Sequence, residues 1–204
     1  MSCLPGSIQR VLVTGGAGFI GGAVVRRLLR CSGVKVFNLD KLGYASDLSS
    51  IQAEVERLGG TAADRHHVLQ VDLVDQQATA EAVRSADPDL VLHLAAESHV
   101  DRSINAPGAF LDSNIIGTFS LLQACRGHWE ALSANRRDVF RFQHISTDEV
   151  FGSLGASGYF SEATPYDPRS PYSASKAASD HLVKAWHHTF GLPVVTTNCS
   201  NNYG

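Results

Sequence analysis

Short, dense apolar runs alternate along the chain with longer stretches whose apolar positions recur at helical spacing. The runs Arg10–Thr14, Val34–Leu39, His67–Val71, Leu90–Leu94, Val139–Ile145 and Leu192–Thr197 read as strands. Several are nearly continuous in β-branched and aliphatic residues, the pattern of parallel strands covered on both faces. Between them, helices are predicted over Phe19–Cys31, Leu48–Leu58, Gln76–Ala86, Pro107–Trp129 and Pro171–Phe190. In the first helix Ile20, Val24, Leu28 and Cys31 form the expected buried stripe, with Arg26, Arg27 and Arg30 outward. In the Pro107–Trp129 helix, Phe110, Asn114, Gly117, Leu121 and Ala124 fall near one face, and local satisfaction of the interior Asn114 is one of two readings left open. Strands alternating with helices predict an α/β fold with a doubly wound, mostly parallel sheet, whose ligands lie at the carboxyl ends of its strands. Asp40, Asp72, Ala95 and Glu149 fall at such ends.

The first β-α-β unit carries the clearest chemistry. Its strand stops at Gly15-Gly16-Ala17-Gly18-Phe19-Ile20-Gly21 and a helix follows at once. Glycines there permit a tight turn and let backbone N–H groups and the helix N-terminus approach a pyrophosphate. Asp40 stands 19 residues beyond Gly21, the place of a carboxylate that binds adenosine ribose hydroxyls. It favours NAD over NADP, because a 2′-phosphate would meet a negative charge, although Lys41 beside it tempers the preference.

Composition narrows the classes further. The 204 residues are 44% hydrophobic and 18% charged with a net charge of −3, an ordinary soluble balance with no electrostatic case for nucleic acid or an anionic membrane surface. No apolar run approaches the roughly 18 residues of a membrane span, and no targeting segment is evident. Cys3, Cys31, Cys125 and Cys199 are widely spaced, which predicts free thiols in a reducing cytoplasm. His93 and His99 flank Glu97 without helical ligand spacing, so no metal is expected, and the pairs His66-His67 and His187-His188 read as surface residues.

At the end of the Val139–Ile145 strand, Ser146-Thr147-Asp148-Glu149 brings hydroxyls and two adjacent carboxyls together. Surroundings can give such a pair different protonation states, one acid and one base. Further on, Tyr172 and Lys176 share one helical face at i and i+4. A nearby ammonium is expected to lower the phenol's pKa toward the operating pH, fitting the tyrosine to take an alcohol's proton as hydride leaves carbon.

These motifs together resemble the extended short-chain dehydrogenase/reductase family, and within it the dTDP-glucose 4,6-dehydratases. The resemblance runs through T-G-G-A-G-F-I-G, N-L-D-K-L, H-L-A-A-E-S-H-V-D-R-S, H-I-S-T-D-E-V-F-G, S-P-Y-S-A-S-K-A-A-S-D-H-L and T-N-C-S-N-N-Y-G. It implies a Rossmann domain over residues 1–204 in which Gly15, Gly18, Phe19, Ile20 and Gly21 surround the NAD pyrophosphate. Asp40 and Lys41 would hold the adenosine ribose, and Asp72 with Leu73 the adenine. Leu94, Ala95, Ala96 and Ser113 would line the cofactor cleft, with Asn202 at the nicotinamide end. Ser98, Thr147 and Asn201 would contact a nucleotide sugar.

The implied catalytic set is Tyr172, Lys176, Thr147, Asp148 and Glu149: Tyr172 as base at the C4 hydroxyl, Glu149 as base at C5, and Asp148 as acid for the departing C6 hydroxyl. The resemblance also implies a cytoplasmic lyase and a homodimer built on the Pro107–Trp129 and Pro171–Phe190 helices. Family members continue past N-N-Y-G into a nucleotide-sugar-binding domain, so the sequence is expected to be a truncated product or fragment with exposed apolar surface and little turnover. The alternatives are another nucleotide-sugar dehydratase, a 4-epimerase, which needs no carboxyl pair for water elimination, and a non-catalytic NAD-binding module.

Overall fold

The computed structural model describes residues 4–31 and 33–203. The strands are β1 (Arg10–Thr14), β2 (Lys35–Asp40), β3 (His66–Gln70), β4 (Leu90–His93), β5 (Arg141–Thr147) and β6 (Val194–Cys199). They form one six-stranded sheet in the order β3-β2-β1-β4-β5-β6, with every neighbouring pair parallel. The expected doubly wound Rossmann sheet is therefore present. The order reverses between β1 and β4, opening a crevice at their carboxyl ends.

The helices are α1 (Phe19–Cys31), α2 (Ser49–Leu58), α3 (Ala62–Arg65), α4 (Gln76–Ala86), α5 (Val100–Asn105), α6 (Pro107–Phe110), α7 (Gly117–Ala131), α8 (Ala134–Val139) and α9 (Pro171–Phe190). Side chains alternate across β1, so Val11 and Val13 pack with Val25, Leu28 and Leu29 of α1 and Ile51 of α2. Leu12 enters the other cluster with Leu121 and Leu122 of α7, Phe142 of β5 and Val183 of α9. Ser170 caps α9 through a reciprocal capping box with Ser173, Pro171 occupies its first turn, and Gly191 ends it in the left-handed conformation.

Several expectations are corrected. The buried face of α1 is Gly21, Gly22, Val25, Leu28 and Leu29, whereas Ile20 is 37% exposed. Close packing of the glycine turn sets the helix's rotation, turning Ile20 toward the crevice. The expected Pro107–Trp129 helix contains a π-helical turn over Leu111–Ile116 between α6 and α7. β5 extends through Thr147, two residues past the predicted end. His66 and His67 are half-buried, and the His67 ring stacks on Phe37 at 4.9 Å between centroids. Cys125 and Cys199 are free, but Cys31 is disulfide-bonded, contrary to the expected thiol, and Cys3 lies outside the described residues. Among the described residues no helix is long and apolar enough to cross a membrane.

Candidate active site

Gly15 leaves β1 at φ +71° and donates its N–H to the Leu39 carbonyl at 2.8 Å. An added Cβ there would lie 2.6 Å from the Ala95 nitrogen, so only glycine lets the turn pass the end of β4. At Gly21 an added Cβ would overlap the Gly15 carbonyl oxygen. The Gly18 N–H donates to that carbonyl at 3.1 Å, closing the turn on itself. α1 therefore begins with its free N–H groups beside the crevice, the arrangement that holds an anion.

Asp40, at the end of β2, is 7% exposed. It accepts from the Ala17 N–H at 3.0 Å, the Leu42 N–H at 2.8 Å and the Ser46 hydroxyl at 2.9 Å. A carboxylate offers roughly four acceptor positions, so capacity for a ligand hydroxyl remains. Lys41 reaches across the crevice to Glu97 at 2.8 Å and to Ser113 at 3.2 Å, so its charge is already matched.

These residues open into one cleft of about 630 Å³, within the usual range for small-molecule sites. Gly15, Gly18, Phe19, Ile20 and Gly21 lie along it, with Asp40, Lys41, Asp72 and Leu73 on the β2–β3 side. Leu94, Ala95, Ala96, Ser98 and Ser113 line its β4 wall. Thr147, Glu149, Tyr172, Lys176, Asn201 and Asn202 complete it at the β5–β6 side. Of the residues expected from sequence only Asp148 is outside, in an adjoining cavity of about 320 Å³ shared with Glu149, Gly152, Phe160, Ser200 and Asn201. The cleft also includes Tyr44, Glu97 and Cys199, to which the sequence reading assigned no role in the site.

Thr147 ends β5, and its Oγ1 accepts the Glu149 N–H at 3.2 Å, starting the 3₁₀ turn Asp148–Phe151. Burial, then the neighbouring Asp148, raises the Glu149 pKa. Tyr172 corrects an expectation: burial first, then Glu149, push its phenol up to about 12, against a pull from hydrogen bonding to Thr147. Lys176 does not offset these effects as predicted; its Nζ donates to the Ile145 carbonyl at 2.9 Å. Burial lowers the ammonium itself to about 8, opposed by Asp180 and Cys199.

Two supporting residues go beyond the sequence reading, which left Asn114 open and gave Asp180 no role. Asn114, buried in the π turn, accepts the Glu97 N–H at 2.8 Å and donates to the Glu97 carbonyl at 3.0 Å and to Ser175 at 2.9 Å. It ties the loop after β4 to α9, so the reading of local satisfaction fails. Asp180, one turn beyond Lys176, accepts from Ser146 at 2.8 Å, Tyr166 at 2.9 Å and His144 at 2.9 Å. His93 is a core residue between Thr14 at 2.7 Å and Thr118 at 2.9 Å.

Comparison with known proteins places this geometry. The chain is 56% identical over 193 residues to a dTDP-glucose 4,6-dehydratase of Xanthomonas campestris pv. campestris, covering 95% of the chain and 53% of the relative. The solved dTDP-glucose 4,6-dehydratase of Streptomyces venezuelae, with NAD and TYD bound, superposes with a TM-score of 0.81 at 41% identity, covering 96% of this chain and 57% of that one. The UDP-glucose 4-epimerase of Thermus thermophilus, in complex with NAD, gives 0.75 at 31% identity, covering 93% and 54%. The chain thus spans about half the length of the curated relatives it matches. The family model described as GDP-mannose 4,6 dehydratase matches residues 12–204, and the chain belongs to that family.

Proposed function

We propose that these residues form the NAD-binding and catalytic part of a dTDP-glucose 4,6-dehydratase, a lyase that converts dTDP-glucose to the 4-keto-6-deoxy sugar nucleotide and water. The observation that carries the reading is one cleft holding both the glycine turn with Asp40 and the set Thr147, Glu149, Tyr172 and Lys176, with Asp148 on its flank. NAD fits the donor set. The α1 N-terminus and glycine turn would take the pyrophosphate, Asp40 the adenosine ribose, Asp72 and Leu73 the adenine, and Asn202 the nicotinamide end. A 2′-phosphate at Asp40 would meet a carboxylate, and Lys41 is already paired with Glu97, which favours NAD over NADP.

When bound, the nicotinamide supplies acceptance and return of hydride. Tyr172, with Lys176 behind it, removes the proton of the C4 hydroxyl, and Thr147 holds that oxygen. The resulting ketone acidifies C5–H, which Glu149 abstracts while Asp148 protonates the departing C6 hydroxyl. The raised pKa of Glu149 suits a carboxylate acting as base closer to neutrality. Tyr172, at about 12, needs further stabilisation of its phenolate, which a bound sugar hydroxyl and the cationic Lys176 provide in the reacting complex.

Ser98, Thr147 and Asn201 are assigned to substrate, and recognition of the nucleotide to a C-terminal domain beyond residues 1–204. Helices α7 and α9 are assigned to a homodimer interface. The cytoplasmic assignment rests on the free Cys125 and Cys199, with the Cys31 disulfide weighing against it.

The test uses the 204-residue chain and a version extended to the full length of the relatives, each incubated with dTDP-glucose and NAD. A 4-keto-6-deoxy product from the extended protein supports the assignment. Formation of dTDP-galactose alone would establish the epimerase reading instead, and no change in the sugar would leave only an NAD-binding module.

A further inference from the structure

The mechanism uses Lys176 but does not explain how its charge persists. The side chain is 4% exposed, and a buried ammonium reverts to the neutral amine unless it is paired. The stretch of β5 beneath it supplies the answer. The Ile145 carbonyl accepts Lys176 Nζ, and the two residues flanking Ile145 both bind Asp180, His144 through Nε2 and Ser146 through Oγ. Asp180 is itself 4% exposed and lies at i+4 from Lys176 on α9, so one short strand segment anchors both side chains. Tyr166, from the loop preceding α9, closes the third side of the carboxylate.

Of the other titratable groups around the lysine only Cys199 also favours its charged form, and it does so less than Asp180. Burial lowers His144 to about 4, and His93 is lowered well below its usual range by burial, so both rings are neutral at physiological pH. Tyr172 is held as the phenol, and Tyr166 is pushed far up by burial and then by Asp180. Cys199, at the end of β6, acts on both Lys176 and Tyr172, while Asp148 and Glu149 act on the phenol of Tyr172. Asp180 has the opposite character: despite burial, hydrogen bonding to His144 and Ser146 and the charge of Lys176 keep its pKa below the usual carboxylate range.

We propose that Asp180 is the counter-ion that maintains Lys176 as a cation beneath Tyr172, which makes it a positioning residue for proton removal at the tyrosine. Its place in the reaction rests on the dehydratase reading; the through-space interaction of the two buried charges, held on one strand segment, does not.

The chain has four lysines, Lys35, Lys41, Lys176 and Lys184, so labelling the lysine ε-carbon with ¹³C gives a readable titration without cofactor or turnover. The Lys176 signal is assigned by its loss in Lys176→Met. In the parent chain its midpoint is expected at about 8. Asp180→Asn keeps the shape but removes the charge, and the midpoint is expected to fall by about one pH unit or more, a tenfold change in acidity. Ser146→Ala removes one hydrogen bond but leaves the charge, and the midpoint should move by only a small fraction of that. An unchanged midpoint in Asp180→Asn, or an equal shift in Ser146→Ala, would overturn the proposal.

Reciprocity supplies a second measurement if Asp180→Asn does not fold. Lys176→Met should raise the Asp180 carboxyl titration, followed by ¹³C at the carboxyl carbon, and an unmoved carboxyl overturns the pairing. In the extended enzyme, Asp180→Asn should shift the pH dependence of C4 oxidation as it shifts Lys176. A shifted lysine without any dehydratase activity in the parent would sink the functional reading and leave the counter-ion intact.

Discussion

Gly21 shows how little freedom single positions in the turn have. Adding a methyl group there drives it into the Gly15 carbonyl, a backbone atom that cannot step aside. Gly21→Ala should therefore destabilise the fold by about 1–3 kcal/mol and weaken NAD binding at least tenfold, measured by thermal unfolding and by titration calorimetry. Glu149 carries the next expectation. A base works only when ionised, so C5 proton exchange in the extended enzyme should rise with pH through a midpoint above the usual value of about 4.3. Glu149→Gln should abolish that exchange while sparing C4 oxidation; oxidation lost with exchange retained would contradict the assigned role. The glycines, Asp40, Tyr172 and Lys176 were legible because their chemistry is carried by local spacing. Asn114 and Asp180 were not, since their partners Ser175 and Ser146 lie 61 and 34 positions away. The same blindness affected Tyr172: the neighbouring ammonium was visible in the sequence, but the depth of burial and the Ile145 carbonyl that engages it were not.

Among the elements, the helix from Pro107 to Ala131 departs most from its pattern. Its apolar spacing reads as continuous, yet the chain inserts a π turn over Leu111–Ile116. The wider turn presents Asn114 to the loop after β4 and to α9, and its carbonyl accepts from Thr118 at 2.6 Å. Thr118 in turn contacts His93, which meets Thr14 on β1, so one chain of hydrogen bonds crosses from helix to sheet. Such a register change answers to partners in three dimensions, and a one-dimensional period cannot display it. Asn114→Ala would leave the Glu97 N–H without its acceptor, a cost of about 1–3 kcal/mol. Thermal unfolding should register it as a fall in the midpoint of several degrees; an unchanged midpoint would mean that water replaces the amide at no cost. For α1 and α4 the sequence and structural boundaries agree, since both helices have their breaks written locally: the glycine turn before one, Asp75 and Asp87-Pro88 around the other.

At the scale of the molecule, the doubly wound parallel sheet followed from alternation of the elements, whereas the polar character of the core's centre did not. His93 and His144 are both buried and hydrogen-bonded in their neutral forms, with ring centroids 5.3 Å apart. Their folded pKa values are depressed, so below the unfolded value of about 6.5 the unfolded chain binds more protons than the native one. Stability to urea should therefore decline as pH falls from about 6.5 toward 4, the latter being the folded value of His144. His144→Gln should flatten part of that decline, and an equally steep profile in the variant would assign the loss to other groups.

The strand order has a further consequence, in the time domain. β1, β2 and β3 can pair as the N-terminal units close, but β4 reaches β1 only by joining Thr14 to His93 across 79 positions. That long closure is entropically expensive and belongs among the slow steps of folding. The glycine turn packs on Ala95, just past β4, while Tyr172 and Lys176 arrive later still on α9. A nascent chain would thus assemble the nucleotide half of its crevice well before the half that performs chemistry.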